Sequence, residues 1–142
     1  SDVCSSDLVA NQSAANTNGS SRLTSIEAFD LTGSGNNNLF LALRDIQDLS
    51  GFNWLNSDTA AGLGRTGGTY TLPGVERRHQ LLVGGNAGDS LSVSAGTTWS
   101  NAGTAIFSGV SGGPLAGTYN VWNSASGLAQ LLVATSLTTT GL

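Results

Sequence analysis

Short apolar runs separated by glycine and asparagine dominate the chain from residue 26 onward. This pattern is typical of several β-strands joined by turns, because Gly and Asn tolerate the positive φ angles of tight turns. The strand-like runs lie at residues 26–31, 39–43, 80–83, 90–93, 105–107, 118–122 and 129–134. We therefore predict an all-β fold of about seven short strands, either a sandwich or a solenoid-like stack.

Two of these runs also predict how their strands are buried. The run LFLAL at residues 39–43 is continuously apolar, which is typical of a strand covered on both faces. In residues 90–93, serines alternate with Leu91 and Val93, so we expect one buried face and one solvent-facing side. The segment NSASGL at residues 123–128 fits a hairpin loop between the last two strands.

One segment has helical rather than strand-like spacing. Leu43, Ile46 and Leu49 recur at intervals of three, which places them on one face of a short helix. Ser50 and Gly51 follow, and glycine is favoured where a helix ends. The sequence thus predicts one short helix near residues 44–50.

The beginning of the chain and one internal stretch depart from this pattern. Residues 1–8 (SDVCSSDL) match the translation of a short-read sequencing adapter, so we expect them to be foreign and the natural N-terminus to be missing. Residues 9–21, rich in Ser, Asn and Ala, predict a flexible linker. Residues 22–142 are expected to form a single β-rich module with an insertion at 51–78, which has room for one hairpin.

Charged residues are scarce. They make up 10% of the chain, compared with about 25% in typical soluble domains, and lysine is absent. Without Asp2 and Asp7 of the adapter-like segment, seven acids face five arginines, which leaves a net charge of 5 − 7 = −2 and disfavours nucleic-acid or anionic-membrane partners.

No run of about 18 apolar residues is present, so we predict no membrane span. Cys4, the single cysteine, lies in the adapter-like segment, so the remainder offers no disulfide or thiolate site.

Three segments resemble a module of giant secreted bacterial proteins of the adhesin and RTX type. They are residues 26–50, 79–91 and 118–134, in the order that the module has. The resemblance implies an extracellular or cell-surface bacterial protein, often exported by a type I system and often carrying calcium-binding repeats nearby. The insertion at 51–78 is a departure, since the module usually has a short connection there.

From this resemblance we expect a non-catalytic structural or spacer module of a large surface protein. Its expected partners are neighbouring modules of the same chain, and a glycan or a host or biofilm surface. The alternative is a calcium- or carbohydrate-binding module of the same kind of protein. An enzyme is not predicted, because His79, the sole histidine, has no partner nearby in sequence and no GxSxG nucleophile motif is present.

Calcium is the cofactor for which the sequence offers candidate ligands. Residues 84–92 (GGNAGDSLS) approximate the RTX nonapeptide GGxGxDxUx, whose glycine turns and aspartate place oxygen ligands around the ion. Asp89 matches the aspartate, but Ala87 replaces a glycine and the copy is single. Asp45 and Asp48 beside the helix are further candidate ligands. Alternatively, these carboxylates cap turns and the helix through local backbone hydrogen bonds.

Sugar binding would require an exposed aromatic ring on which a sugar can stack. Trp54, in the insertion, is the candidate for such a platform. Trp122 ends an apolar strand and is expected to pack inward, and Trp99 is compatible with either position. Trp54 is therefore the predicted ligand-binding residue.

Overall fold

A computed structural model describes residue 26, residues 28–108 and residues 115–142 of the chain. These residues form nine strands and two short helices, so the predicted all-β class with a short helix is confirmed. The strands are β1 (Ala28–Asp30), β2 (Asn38–Leu41), β3 (Arg65–Gly67), β4 (His79–Gly84), β5 (Ser90–Val93), β6 (Trp99–Phe107), β7 (Gly117–Ser124), β8 (Ala129–Ala134) and β9 (Thr138–Thr140); the helices are α1 (Leu43–Leu49) and α2 (Ser57–Gly62). The adapter-like residues 1–8 and the predicted linker at 9–21 lie outside the described residues.

Three stacked coils form the centre of the fold. In each coil, a strand of a six-stranded sheet turns into a strand of a three-stranded sheet: β1 into β2, β4 into β5, and β8 into β9. Equivalent strands of successive coils pair in parallel, in the orders β1-β4-β8 and β2-β5-β9. The described chain therefore has two sheets, as in a sandwich, built by stacked coils, as in a solenoid.

The remaining strands extend the larger sheet in antiparallel fashion, in the order β8-β7-β6-β3. The antiparallel pairing of β7 and β8 confirms the hairpin predicted around residues 123–128. β6 begins at Trp99, six residues before the predicted strand at 105–107. Its first six residues, WSNAGT, have no apolar alternation, and they are extended because β6 pairs with β7 along its length.

Burial differs between the strands in a way that the sequence only partly predicts. β4 is buried at every residue after His79, and β8 is buried throughout. β5 alternates between half-buried and buried positions, as predicted. The prediction that residues 39–43 are covered on both faces is wrong, because β2 alternates and Phe40 is 71% exposed. Of the strands in the described residues, β2 pairs with β5 alone, and it presents its outer face to solvent.

Two helices and one strand lie between β2 and β4, and of these α2 and β3 belong to the insertion. α1 lies at Leu43–Leu49, as predicted, and buries Ile46. α2 was not predicted, because SDTAAG has no apolar periodicity; it begins where the Asn56 side chain accepts the N–H groups of Asp58 and Thr59, at 3.0 and 3.1 Å. The strand of the insertion, β3, pairs with β6, so no hairpin forms within the insertion itself. Among the described residues, no helix is long and apolar enough to cross a membrane.

Candidate functional site

Asp89 lies in the turn between β4 and β5, the middle one of the three stacked turns. Its side chain is fully buried. One carboxylate oxygen accepts the backbone N–H of Asn37 at 2.8 Å and the side-chain N–H of Asn37 at 3.3 Å. The other accepts the backbone N–H of Asn86 at 2.6 Å. Because Asn37 belongs to the turn of the preceding coil, the carboxylate joins two neighbouring turns.

The surroundings of Asp89 are those of an anion enclosed by donors. Burial by itself would raise the pKa of this carboxyl, but the N–H groups of Asn37 and Asn86 outweigh burial and hold the pKa below its ordinary value. A calcium ion requires oxygen lone pairs directed at it, whereas both oxygens of Asp89 are directed at hydrogen-bond donors. The geometry therefore favours a structural role for Asp89, which corresponds to the alternative considered from the sequence.

The glycines of the GGNAGD segment serve the same stacking. A Cβ atom at Gly85 would lie 2.5 Å from Cδ2 of Leu137, in the turn of the next coil. A Cβ atom at Gly88 would lie 2.5 Å from Oδ1 of Asn36, in the turn of the preceding coil, and its φ of +101° also favours glycine. Each glycine lets an adjacent turn approach closely, so the segment fits a stacking motif.

The other two aspartates proposed as metal ligands lie on the exposed side of α1. Asp45 accepts the backbone N–H of Ala42 at 2.7 Å and so caps the first turn of the helix. Asp48 is exposed near the end of the helix. The part of the chain that the structure describes contains no group of three or more His, Cys, Asp or Glu residues that could hold a metal ion, so Asp45, Asp48 and Asp89 are not brought together.

Trp54 is half-buried, which corrects the expectation that it is an exposed platform. Its indole N–H donates to the carbonyl of Gln80, and its ring packs against the core. Trp122 also packs against the core, and Trp99 is buried. The exposed aromatic residue of the insertion is instead Phe52, whose ring meets the His79 ring edge-on with centroids 5.4 Å apart.

A chain of buried polar side chains lies where the insertion meets the larger sheet. Gln80 donates its side-chain N–H to Gln130 at 2.8 Å, and Gln130 donates to the Tyr70 hydroxyl at 3.0 Å. The Tyr70 hydroxyl donates to Glu76 at 2.9 Å. Glu76 is 6% exposed and forms an ion pair with Arg78 at 2.8 Å. This network connects a charged pair in the insertion to two amides inside the sheet.

The network holds the insertion in place. The side-chain oxygen of Gln80 accepts the backbone N–H of Leu55 at 2.7 Å. Burial raises the pKa of Tyr70, with the Glu76 carboxylate adding to the effect, so the phenol stays protonated and can donate.

Sequence reasoning missed this cluster, although one signal was available. Gln80 and Gln130 each precede the same run, LLV, and lie opposite each other on β4 and β8.

The outer face of the three-stranded sheet carries a shallow groove of about 280 Å³. Its wall includes Phe40, which has the largest exposed fraction among the large apolar side chains of the described residues. Asp45, Ser92 and Ser94 contribute its polar groups. Neither Phe40 nor this groove was singled out from the sequence, because the run LFLAL was interpreted as a strand buried on both faces.

Most of the predicted site residues therefore make structural contacts. Asp89 joins turns, Asp45 caps a helix, and Trp54 packs on the core, whereas Phe40 and Phe52 are the exposed aromatic residues.

Comparison of the chain with protein-family models, with curated proteins and with solved structures finds no match in any of the three.

Proposed function

We propose that the chain is a structural spacer module of a large secreted bacterial surface protein, and that it has no catalytic role of its own. The resemblance of three segments to modules of such proteins supports this proposal. Residues 26–50 contain the first coil and α1, residues 79–91 contain most of the second coil, and residues 118–134 contain most of the β7–β8 hairpin. The first two segments thus cover most of two stacked coils, and the third supplies β8 of the last coil together with most of β7. The insertion lies between the first two segments.

The observation that carries the proposal is the use of reactive side chains as structural ties. Asp89 joins two turns, and Glu76 holds Tyr70, whose hydroxyl accepts a hydrogen bond from Gln130 of the sheet. His79 places Nδ1 3.0 Å from the carbonyl oxygen of Ser50, which links β4 to the end of α1. These are the groups from which catalysis or metal binding would be built, and each of them supports the fold.

A stack of parallel coils suits a spacer. Each coil is bonded to the next through two parallel ladders, so a load on one coil is shared by its neighbour. Within the described residues, β2 and β9 each pair along one edge, and the other edge presents backbone donors and acceptors. Neighbouring modules of the same chain are the partners that we propose for these edges.

Single-molecule pulling on a concatemer of three complete chains tests this proposal. Each chain should unfold in one cooperative event that releases about 40 nm of contour length, the reach of residues 26–142 when extended. Gradual extension without distinct events would contradict a mechanical role. Turnover of an ester, peptide or glycoside that is lost in the His79→Gln variant would contradict the non-catalytic part of the proposal.

A further inference from the structure

Phe40 lies on the outer face of the three-stranded sheet, within rows of polar side chains. The parallel register places Phe40 beside Ser92, and Ser92 beside Thr140. The neighbouring row holds Asn38, Ser90 and Thr138. Because paired strands lie about 4.8 Å apart, the two rows form a flat surface in which an aromatic ring stands next to regularly spaced hydroxyl and amide groups.

The groove beside Phe40 adds one charged group. Asp45 caps α1 with one carboxylate oxygen, which accepts the N–H of Ala42, and its side chain is exposed. The other oxygen has no hydrogen-bond partner among the described residues, so it can accept a hydrogen bond from a ligand. Asp45 is the single ionisable residue among those that line the groove. The groove is therefore suited to a neutral ligand with hydroxyl donors and repels an anionic one.

We infer that this face binds a neutral polysaccharide, with one sugar ring stacked on Phe40 and its hydroxyls bonded to Asp45 and Ser92. The apolar C–H face of a pyranose matches the exposed ring, and the sugar hydroxyls match the carboxylate and the serines. An extended chain fits better than a small molecule, because the hydroxyl rows continue across the sheet to Thr138 and Thr140. The spacer would then also adhere to a glycan surface, which goes beyond the proposed mechanical role.

Affinity electrophoresis of the complete chain in gels that contain xyloglucan, galactomannan or dextran tests this inference, with alginate as the anionic comparison. At least one neutral polysaccharide should retard the chain, and alginate should not. Phe40→Ala should weaken binding about tenfold, because it removes the stacking surface. Phe52→Ala is the matched control, since it removes a second exposed phenylalanine outside the groove, and it should leave binding unchanged. Asp45→Asn should keep the helix cap and weaken binding about threefold.

Several results would overturn the inference. They are the absence of retardation in every neutral gel, equal retardation by alginate, and loss of binding in Phe52→Ala with binding retained in Phe40→Ala. Sedimentation of the chain at increasing concentration covers another occupant of the face: self-association that Phe40→Ala abolishes would assign the face to a second copy. None of these results alters the pulling experiment, so the two proposals can fail separately.

Discussion

Two buried carboxylates, Asp89 and Glu76, hold two regions of the molecule in different ways. Asp89 lies in the stacked turns, and its partners in the described part of the chain are all N–H groups, two of them in the backbone. Glu76 lies in the insertion and relies on side chains, the Arg78 guanidinium and the Tyr70 hydroxyl, together with the backbone N–H of Arg77. One acid is thus satisfied mainly by the backbone of the stack, and the other by a local set of side chains.

This difference distinguishes the stacked coils from the insertion. The partners of Asp89 reach it because parallel coils are in register, so the same arrangement could recur wherever two such turns stack. The partners of Glu76 come from residues 70–78 and from Gln130, through Tyr70. The insertion is therefore held by a network particular to this sequence, and the stack by a device that depends on coil geometry. The two regions should respond separately to substitution.

The largest effect is expected for Asp89→Asn. The amide retains an acceptor for Asn37 but turns an N–H toward the N–H of Asn86, which leaves buried donors unsatisfied. We expect the free energy of unfolding to fall by about 3 kcal/mol. Urea denaturation measures this loss, and Asp58→Asn, at an exposed position, should change stability by less than about 0.5 kcal/mol. Equal losses in the two variants would contradict the role of Asp89 as a structural tie between the turns.

Acid should weaken the same contact. The pKa of Asp89 in the folded protein lies below its ordinary value of about 3.9, so its stabilisation is complete above about pH 4 and is lost as the pH falls through the folded pKa. The unfolding free energy of the wild type should therefore decline more steeply below about pH 4 than that of Asp89→Asn. Parallel declines in the two proteins would show that Asp89 does not govern this response.

A smaller effect is expected for Gly85→Ala. The added methyl would meet Cδ2 of Leu137 at 2.5 Å and one carboxylate oxygen of Asp89 at 3.0 Å, so either the Leu137 side chain must move or the adjacent turns must shift apart. We expect a loss of about 2 kcal/mol, measured by thermal or urea unfolding. Gly74→Ala is the matched control, since a Cβ atom there meets nothing within 4 Å. If Gly85→Ala were as neutral as Gly74→Ala, Gly85 would not be required for the contact with Leu137.

The smallest loss is expected for Glu76→Gln, and it should be confined to the insertion. The amide removes the charge that pairs with Arg78, at a cost of about 1 kcal/mol. Amide hydrogen exchange should accelerate at Leu55, which bonds to Gln80, and stay unchanged at Ser90, which bonds to Asn37 across the stacked turns. Equal acceleration at both amides would contradict a local effect that is confined to the insertion.

The sequence predicts those strands whose own residues carry the signal. β5 and β8 match the predicted bounds, because β5 alternates and β8 is apolar at every position except Gln130. β9 consists of three threonines, which have no apolar pattern, and it is a strand because it pairs with β5. α2 depends on the Asn56 cap rather than on periodicity. Elements created by pairing or capping were therefore missed.

In the candidate site, too, local sequence predicted some features, and contacts between distant residues decided the others. Asp89 could be selected from the GGNAGD segment, but its partner Asn37 is 52 residues away, and local sequence does not indicate that their turns stack. Trp54 was expected to be exposed because it lies in the insertion, whereas its indole N–H donates to the carbonyl of Gln80, 26 residues away. The sequence identified residues with suitable chemistry, but the role of each one depends on contacts with residues that are distant in sequence.

The central claim, that Asp89 is a structural tie between stacked turns, is tested most directly by the melting temperature of the complete chain with millimolar calcium and with excess chelator. We predict the same melting temperature in both conditions, because the carboxylate oxygens already accept N–H groups of Asn37 and Asn86. A melting temperature that rises with calcium, falls with chelator and no longer responds in Asp89→Asn would contradict the claim and assign Asp89 to a calcium site.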